Sequence, residues 1–311
     1  MRHRGDMAHA HHDHGHHPHA PTDMGRAFAI GVALNTAFVL AEVAAGFWSG
    51  SMALLADAGH NLSDVLALLL AWGAAVLARR APAGRRTYGL RKATILASLA
   101  NAVLLLVAVG AIVSESVRRL SEPASVATTV VMATAALGVV INTATALLFM
   151  RRRHEDLNVR GAFLHMATDA AVSLAVVLGA LAMAVTGILW IDPALSLAIA
   201  AVIVIGTWGL LRDSVDLALD AAPKGVDVEE VRRWLASQPG VSEVHDLHIW
   251  AMSTTETALT AHLIRPENPD CDRFLQAASE GLAHRFKIGH ATLQVETDAA
   301  SACRLAPAEV V

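Results

Sequence analysis

The chain has 311 residues, of which 54% are apolar and only 17% charged, with a mean hydropathy of +0.46. That balance excludes an ordinary soluble protein of this size. The net charge of −4 leaves no basic footprint and excludes a nucleic-acid partner. Two cysteines, Cys271 and Cys303, form neither a C-x-x-C pair nor a disulfide framework. Abundant alanine and an excess of arginine over lysine read as a bacterial composition.

Residues 1–25 contain no apolar run and are no secretory signal peptide. They are expected to be a disordered cytoplasmic tail. It holds half of the chain's 16 histidines: His3, His9, His11, His12, His14, His16, His17 and His19. Such a tract gathers zinc loosely through many equivalent imidazoles. Its interruption by Asp13, Gly15 and Pro18 favours a native tail over a purification tag. A flexible tail lacks fixed geometry, so a metal site of fixed geometry is expected elsewhere in the chain.

Six apolar segments follow, at about 27–48, 52–77, 93–117, 126–150, 159–185 and 194–211. Their lengths fit the ~17–25 residues with which a helix crosses a bilayer. Ser49-Gly50-Ser51 separates the first two, Glu122-Pro123 precedes the fourth, and Asp192-Pro193 predicts an N-cap and first turn for the sixth. The loop after the second segment carries Arg79, Arg80, Arg85, Arg86, Arg91 and Lys92. The loop after the fourth carries Arg151, Arg152, Arg153 and Arg160, whereas those after the first and fifth carry no Lys or Arg. Arg118 and Arg119 oppose the trend but stand between Glu115 and Glu122. The asymmetry predicts both termini in the cytoplasm.

Beyond residue 212 the pattern becomes that of a small α+β domain. A helix at 228–235 follows Asp227 and closes at Pro239-Gly240. Strands at 241–252 and 256–264 flank the turn Ser253-Thr254-Thr255, then come a helix at 270–286 and a strand at 291–296. The expected domains are the tail 1–25, a six-helix membrane domain 26–212, a cytoplasmic domain 213–298 and a disordered tail 299–311.

Within the apolar segments two pairs stand out, His60 with Asp64 and His165 with Asp169. Each is spaced i, i+4 and leaves one helix face. Both Asp positions fall near the bilayer midplane, where ionisable groups are costly and functional. Two imidazoles and two carboxylates make a tetrahedral set for a borderline divalent cation such as Zn²⁺. Asp57 shares the face of His60 nearer the outer mouth, and is read either as a pathway or gating carboxylate or as a helix N-terminal charge. Glu42 is read as a supporting or structural partner, with Asn35 on the same face. Asn101 and Asn142 are expected to bond between helices.

The stretches Gly50-Ser51-Met52-Ala53-Leu54-Leu55-Ala56-Asp57-Ala58-Gly59-His60-Asn61-Leu62-Ser63-Asp64 and Leu157-Asn158-Val159-Arg160-Gly161-Ala162-Phe163-Leu164-His165 with Asp169 resemble the cation diffusion facilitator family. So do Asp192-Pro193, Val244-His245-Asp246-Leu247-His248-Ile249-Trp250 and His290-Ala291-Thr292-Leu293-Gln294-Val295-Glu296. The resemblance implies a homodimeric metal-cation/proton antiporter with six transmembrane helices and a ferredoxin-like cytoplasmic domain. It implies zinc, sometimes cadmium, at the His/Asp-His/Asp site. It also implies zinc ligands at His245, His262, His290 and Glu296. Asp246 and His248 alternate to the face opposite His245 and are weaker candidates. The loop from Arg79 to Gly89 holds no His, Asp or Glu, so the loop metal site of some relatives is expected to be missing. His154, Glu155 and Asp156 read as a weak entry site or as a solvated charge run.

The expectation is a proton-coupled antiporter exporting Zn²⁺ across the bacterial inner membrane. Metal binding needs neutral His and ionised Asp, so it expels protons. Alternatives are an antiporter mainly for Cd²⁺, Co²⁺, Ni²⁺ or Fe²⁺, or a membrane metal sensor that does not transport. No general base stands beside an open coordination position, so an enzyme is not expected.

Overall fold

The computed structural model describes residues 23–150, 157–267 and 270–297. The tail histidines His9 to His19, the run His154-Glu155-Asp156, Cys303 and the tail from 299 onwards lie outside the described residues. Six long helices come first: α1 (Asp23–Ser49), α2 (Met52–Ala78), α3 (Ala93–Ser121), α4 (Thr128–Met150), α5 (Leu157–Thr186) and α6 (Ile191–Ala218). Among the described residues five of them, α2 to α6, are long and apolar enough to cross a membrane, and the described part of α1, Thr36–Ser49, is apolar. There follow α7 (Val228–Ala236), β1 (Glu243–Ala251), β2 (Thr257–Ile264), α8 (Cys271–Phe286) and β3 (Ile288–Glu296).

The helical bundle carries apolar side chains outwards and polar ones inwards. Trp72, Val107 and Ile205 are exposed, whereas Glu42, Asp57, Asn61, Asp169, Ser173 and Ser196 are buried. That distribution suits a lipid surround, where an unsatisfied polar group has no water to turn to. Helix α4 packs chiefly on α5, α3 on α6, and α2 on both α1 and α3.

The turn from α1 to α2 requires its glycine, because Gly50 has φ +69°, a region that L side chains enter at a cost. Ser51 then caps α2, its Oγ accepting from Leu54 N at 3.1 Å. The sixth segment was expected to begin with Asp192 as its own N-cap. Instead α6 starts at Ile191, and Asp192 reaches across to α2. Its carboxylate accepts from Ser51 Oγ, from Met52 N at 2.7 Å and from Ala53 N at 3.3 Å. The free N–H groups and positive dipole end of α2 draw the carboxylate there. Arg119 donates to the Gly50 carbonyl and fastens α3 to the same corner.

Packing is uneven along the bundle. In α2 the buried residues run from Met52 to Val65, and beyond them only Ala74 is buried. In α5 the buried residues among those described run from Asp169 through Ser173, Val176 and Ala180 to Met183. The helices are therefore closed around the α1–α2 turn and splayed toward the α2–α3 loop.

The C-terminal domain lies on that splayed side. Lys92 Nζ meets Asp220 at 2.5 Å, Arg91 pairs with Glu256, and Thr254 N donates to Thr94 Oγ1 at 3.1 Å. Its sheet has the order β1-β2-β3, with β1 antiparallel and β3 parallel to β2. Asp227 caps α7 through Glu229 N at 2.9 Å and Glu230 N at 3.1 Å. Val231, Leu235, Leu259, Leu263, Leu282 and Ile288 form the core between helices and sheet. Gly281 of α8 lets Trp234 of α7 lie close, since a Cβ there would come within 2.4 Å of the indole.

Candidate metal site

His60 and Asp64 sit in α2, and His165 and Asp169 sit in α5. Asp64 and Asp169 each lie twelve residues into their helix (64 − 52 and 169 − 157), about 18 Å along the axis. The helices run in opposite directions, so both pairs meet at mid-height. The two imidazoles and two carboxylates interleave. His60 Nε2 lies 3.6 Å from Asp169 Oδ1 and 3.9 Å from Asp64 Oδ2. His165 Nε2 lies 3.2 Å from Asp64 Oδ2 and 3.6 Å from Asp169 Oδ2. The rings meet edge to face with centroids 5.9 Å apart.

Ligand atoms of His60, His165 and Asp169 all lie within 4.8 Å of one another, and Asp64 joins through both histidines. Asp169 Oδ1 is buried without a hydrogen-bond donor. Each imidazole thus turns one nitrogen to two oxygens, a donor set that fits a four-coordinate divalent cation. Side-chain exposure is 3% for Asp169 and 28% for His60, against 36% for Asp64 and 41% for His165. The exposed pair lies toward the α2–α3 loop, so the quartet opens on the side of the C-terminal domain.

On the closed side lie the other two ionisable residues singled out in the sequence. Glu42 Oε2 accepts from Asn61 Nδ2 at 3.0 Å, and Asp57 Oδ2 accepts from Ser173 Oγ at 3.0 Å. Asp57 is fully buried, so it is not a surface charge at the start of α2. Asn142, expected to bond between helices, has its Nδ2 buried without a hydrogen-bond partner.

A second cluster stands in the C-terminal domain. His245 and His262 are register partners on β1 and β2, and Glu296 ends β3. His262 Nδ1 lies 3.1 Å from Glu296 Oε1, and His245 Nε2 lies 3.5 Å from Glu296 Oε2. Both ring nitrogens of His245 are buried without a hydrogen-bond partner. His290 is not part of this cluster. It pairs in register with Ala258 and sets its ring against Tyr88 at 5.6 Å, six residues and about 20 Å along β3 from Glu296. Asp246, expected on the opposite face, joins instead at 3.4 Å from His262 Nε2 and 2.8 Å from His248 Nε2. A bulge between His245 and His248, with Asp246 at φ +49°, breaks the alternation that had placed it elsewhere. No feature of the local sequence announces that bulge.

Residues 28–217 match the model of the cation efflux transmembrane domain, and residues 223–298 match that of the cation efflux protein cytoplasmic domain. The chain belongs to the cation efflux family. Among relatives it is 37% identical over 293 residues to the zinc transporter ZitB of Escherichia coli, covering 93% of each chain. It is 35% identical to the metal cation efflux system protein CzcD of Cupriavidus metallidurans, over 91% of this chain and 90% of that one. To the cadmium, cobalt and zinc/H(+)-K(+) antiporter of Bacillus subtilis it is 30% identical, over 91% and 92%. A solved structure, the metal-bound C-terminal domain of the CzcD transporter from Cupriavidus metallidurans, is 35% identical over 23% of this chain and 99% of that one, with a TM-score of 0.22. As a cation efflux protein, this chain is a membrane transporter of metal cations.

Proposed function

We propose that the chain is a homodimeric antiporter that exports Zn²⁺ from the cytoplasm in exchange for protons, with His60, Asp64, His165 and Asp169 as the ligands of the transported ion. The observation that carries this reading is the interleaved quartet at mid-height of two apolar helices. Two nitrogens and two oxygens suit zinc, and two carboxylates neutralise its charge. Helix α1 serves as a sixth span, both termini lie in the cytoplasm, and the protein resides in the bacterial inner membrane. The exposed Asp64 and His165 then receive the ion from the cytoplasm, while the packed end around Ser51 and Asp192 seals the outer side. Release requires that end to part, and Glu42 and Asp57 lie beside the path it would open.

Proton coupling rests on ligand chemistry. A histidine must be neutral and an aspartate ionised to hold the metal, so loading displaces protons and unloading allows their return. Calorimetry of zinc binding in buffers of different ionisation enthalpy tests this. The heat is expected to follow the buffer; buffer-independent heat would speak against displaced protons.

In the C-terminal domain, His245, His262 and Glu296 would hold a structural or regulatory zinc, with Asp246 adjoining. The unpartnered nitrogens of His245 fit that role, and a bound cation would supply the positive charge that ties three strands together. A second cargo reading, with Cd²⁺ or Co²⁺ beside Zn²⁺, is favoured by the name of the Bacillus subtilis relative and by a donor set that does not exclude them. The chain is a carrier and makes no covalent change to its cargo.

A further inference from the structure

The closed side of the quartet holds a second pair of carboxyl groups. Glu42 of α1 and Asp57 of α2 are both fully buried, and Glu42 is bonded to Asn61, which follows Asp57 by four residues on the same face of α2, so the two carboxyl groups are neighbours. Each has one oxygen engaged by a neutral donor, Asn61 for Glu42 and Ser173 for Asp57. The other oxygens, Glu42 Oε1 and Asp57 Oδ1, have no donor.

Two adjacent carboxylates out of water repel and lack solvation, so both stay ionised only if a cation compensates them. None is at hand. Helices α2 and α4 contain no lysine or arginine. Arg26 of α1 and Arg160 of α5 stand 16 and 13 residues from Glu42 and Ser173 (42 − 26 and 173 − 160), about 24 and 20 Å along a helix. Arg119 of α3 is engaged by Glu115 and the Gly50 carbonyl. Among the described residues, the ionisable groups one helical turn from the pair are Asp169, four residues before Ser173 on α5, which adds negative charge, and His60, three residues after Asp57 on α2. One proton between the two unpartnered oxygens satisfies both and removes one charge.

We propose that Glu42 and Asp57 hold a single proton between them and form a proton site separate from the metal ligands. Asp57 precedes His60 by three residues and Ser173 follows Asp169 by four, so the pair lies about one helical turn from the quartet. A rearrangement that opens the quartet to the outer side would open this pair as well. The carrier then moves protons beyond those displaced from its ligands. That consequence rests on the proton-coupled reading above, whereas the shared proton itself does not.

The test is infrared difference spectroscopy of the full chain in lipid nanodiscs at neutral pH, in H₂O and D₂O. The wild type is expected to show the carbonyl stretch of a protonated carboxyl group that moves in D₂O. The band is expected to vanish in Glu42→Gln and to persist in Asp64→Asn. Its absence from the wild type, or its survival in Glu42→Gln, overturns the proposal; a monovalent cation between two carboxylates would give the first result. Zinc titration of Glu42→Gln is expected to give wild-type affinity, and a marked weakening would make Glu42 part of the metal site and overturn the separation. If Glu42→Gln fails to fold, Asp57→Asn takes its place with a shifted band expected and an unchanged band contradicting. The spectrum needs no flux, so a failure of transport would count against the antiporter and not against the shared proton.

Discussion

An ionisable side chain in the middle of an apolar helix carries a cost of at least ~2.5 kcal/mol, and four together are stable only when they serve one another or a common ion. His60 and His165 each lie between Asp64 and Asp169 within 3.9 Å; in the proposed function the donor set itself is the selectivity element. Changing His60→Asp leaves one nitrogen and three oxygens, a harder set. Competition binding is expected to show that variant losing discrimination for zinc over manganese; unchanged discrimination would move selectivity away from His60. Asp192 is the structural counterpart. It is buried and satisfies three donors at the start of the helix that carries half the quartet. Asp192→Ala is expected to lower stability by about 1–2 kcal/mol, the cost of a lost cap, read as an earlier thermal unfolding in detergent, with Asp192→Asn recovering part of it. An unaltered midpoint in Asp192→Ala would show that the cap contributes nothing.

At the scale of elements, close helix packing in the C-terminal domain depends on a missing Cβ at Gly281. Gly281→Ala pushes Trp234 from α8 and is expected to cost about 1–3 kcal/mol, as overpacking does. Thermal unfolding followed by tryptophan fluorescence checks it, and a wild-type midpoint would mean that α7 moves aside freely. Much of this architecture was legible in the chain because period and hydropathy are local signals. The turn at Gly50, the helix after Asp227 and the strands around Ser253 fall where their residue patterns put them. Helices α3 and α6 run on to Ser121 and Ala218, beyond the apolar runs that ended near 117 and 211. Their last turns are polar, with Arg118, Arg119, Arg212 and Asp213, and continue the helix out of an apolar setting where hydropathy no longer marks it. The cap from Asp192 to α2, the bulge at Asp246 and the departure of His290 toward Tyr88 were not legible. Each depends on a partner from a distant part of the chain or on a break in alternation that no neighbouring residue encodes. The pairing of His60 and Asp64 with His165 and Asp169 was legible because polar residues at i, i+4 in two apolar runs have few other uses.

For the whole molecule, the asymmetry of packing gives the site a direction. The bundle is tight where Asp192, Arg119 and the α1–α2 turn converge, and splayed where the C-terminal domain docks through Lys92, Arg91 and Thr94. In the antiporter reading this arrangement accepts zinc from the cytoplasm, and transport consists of exchanging the tight end for the open one. The measurement that tests this most directly is zinc flux in proteoliposomes holding the full chain under a pH gradient, with internal pH followed at the same time. The wild type is expected to move zinc with counter-movement of protons, and flux is expected to collapse in both Asp64→Ala and Asp169→Ala. Vesicles in which the wild type binds zinc but never moves it, or in which either variant transports at the wild-type rate, would contradict the account.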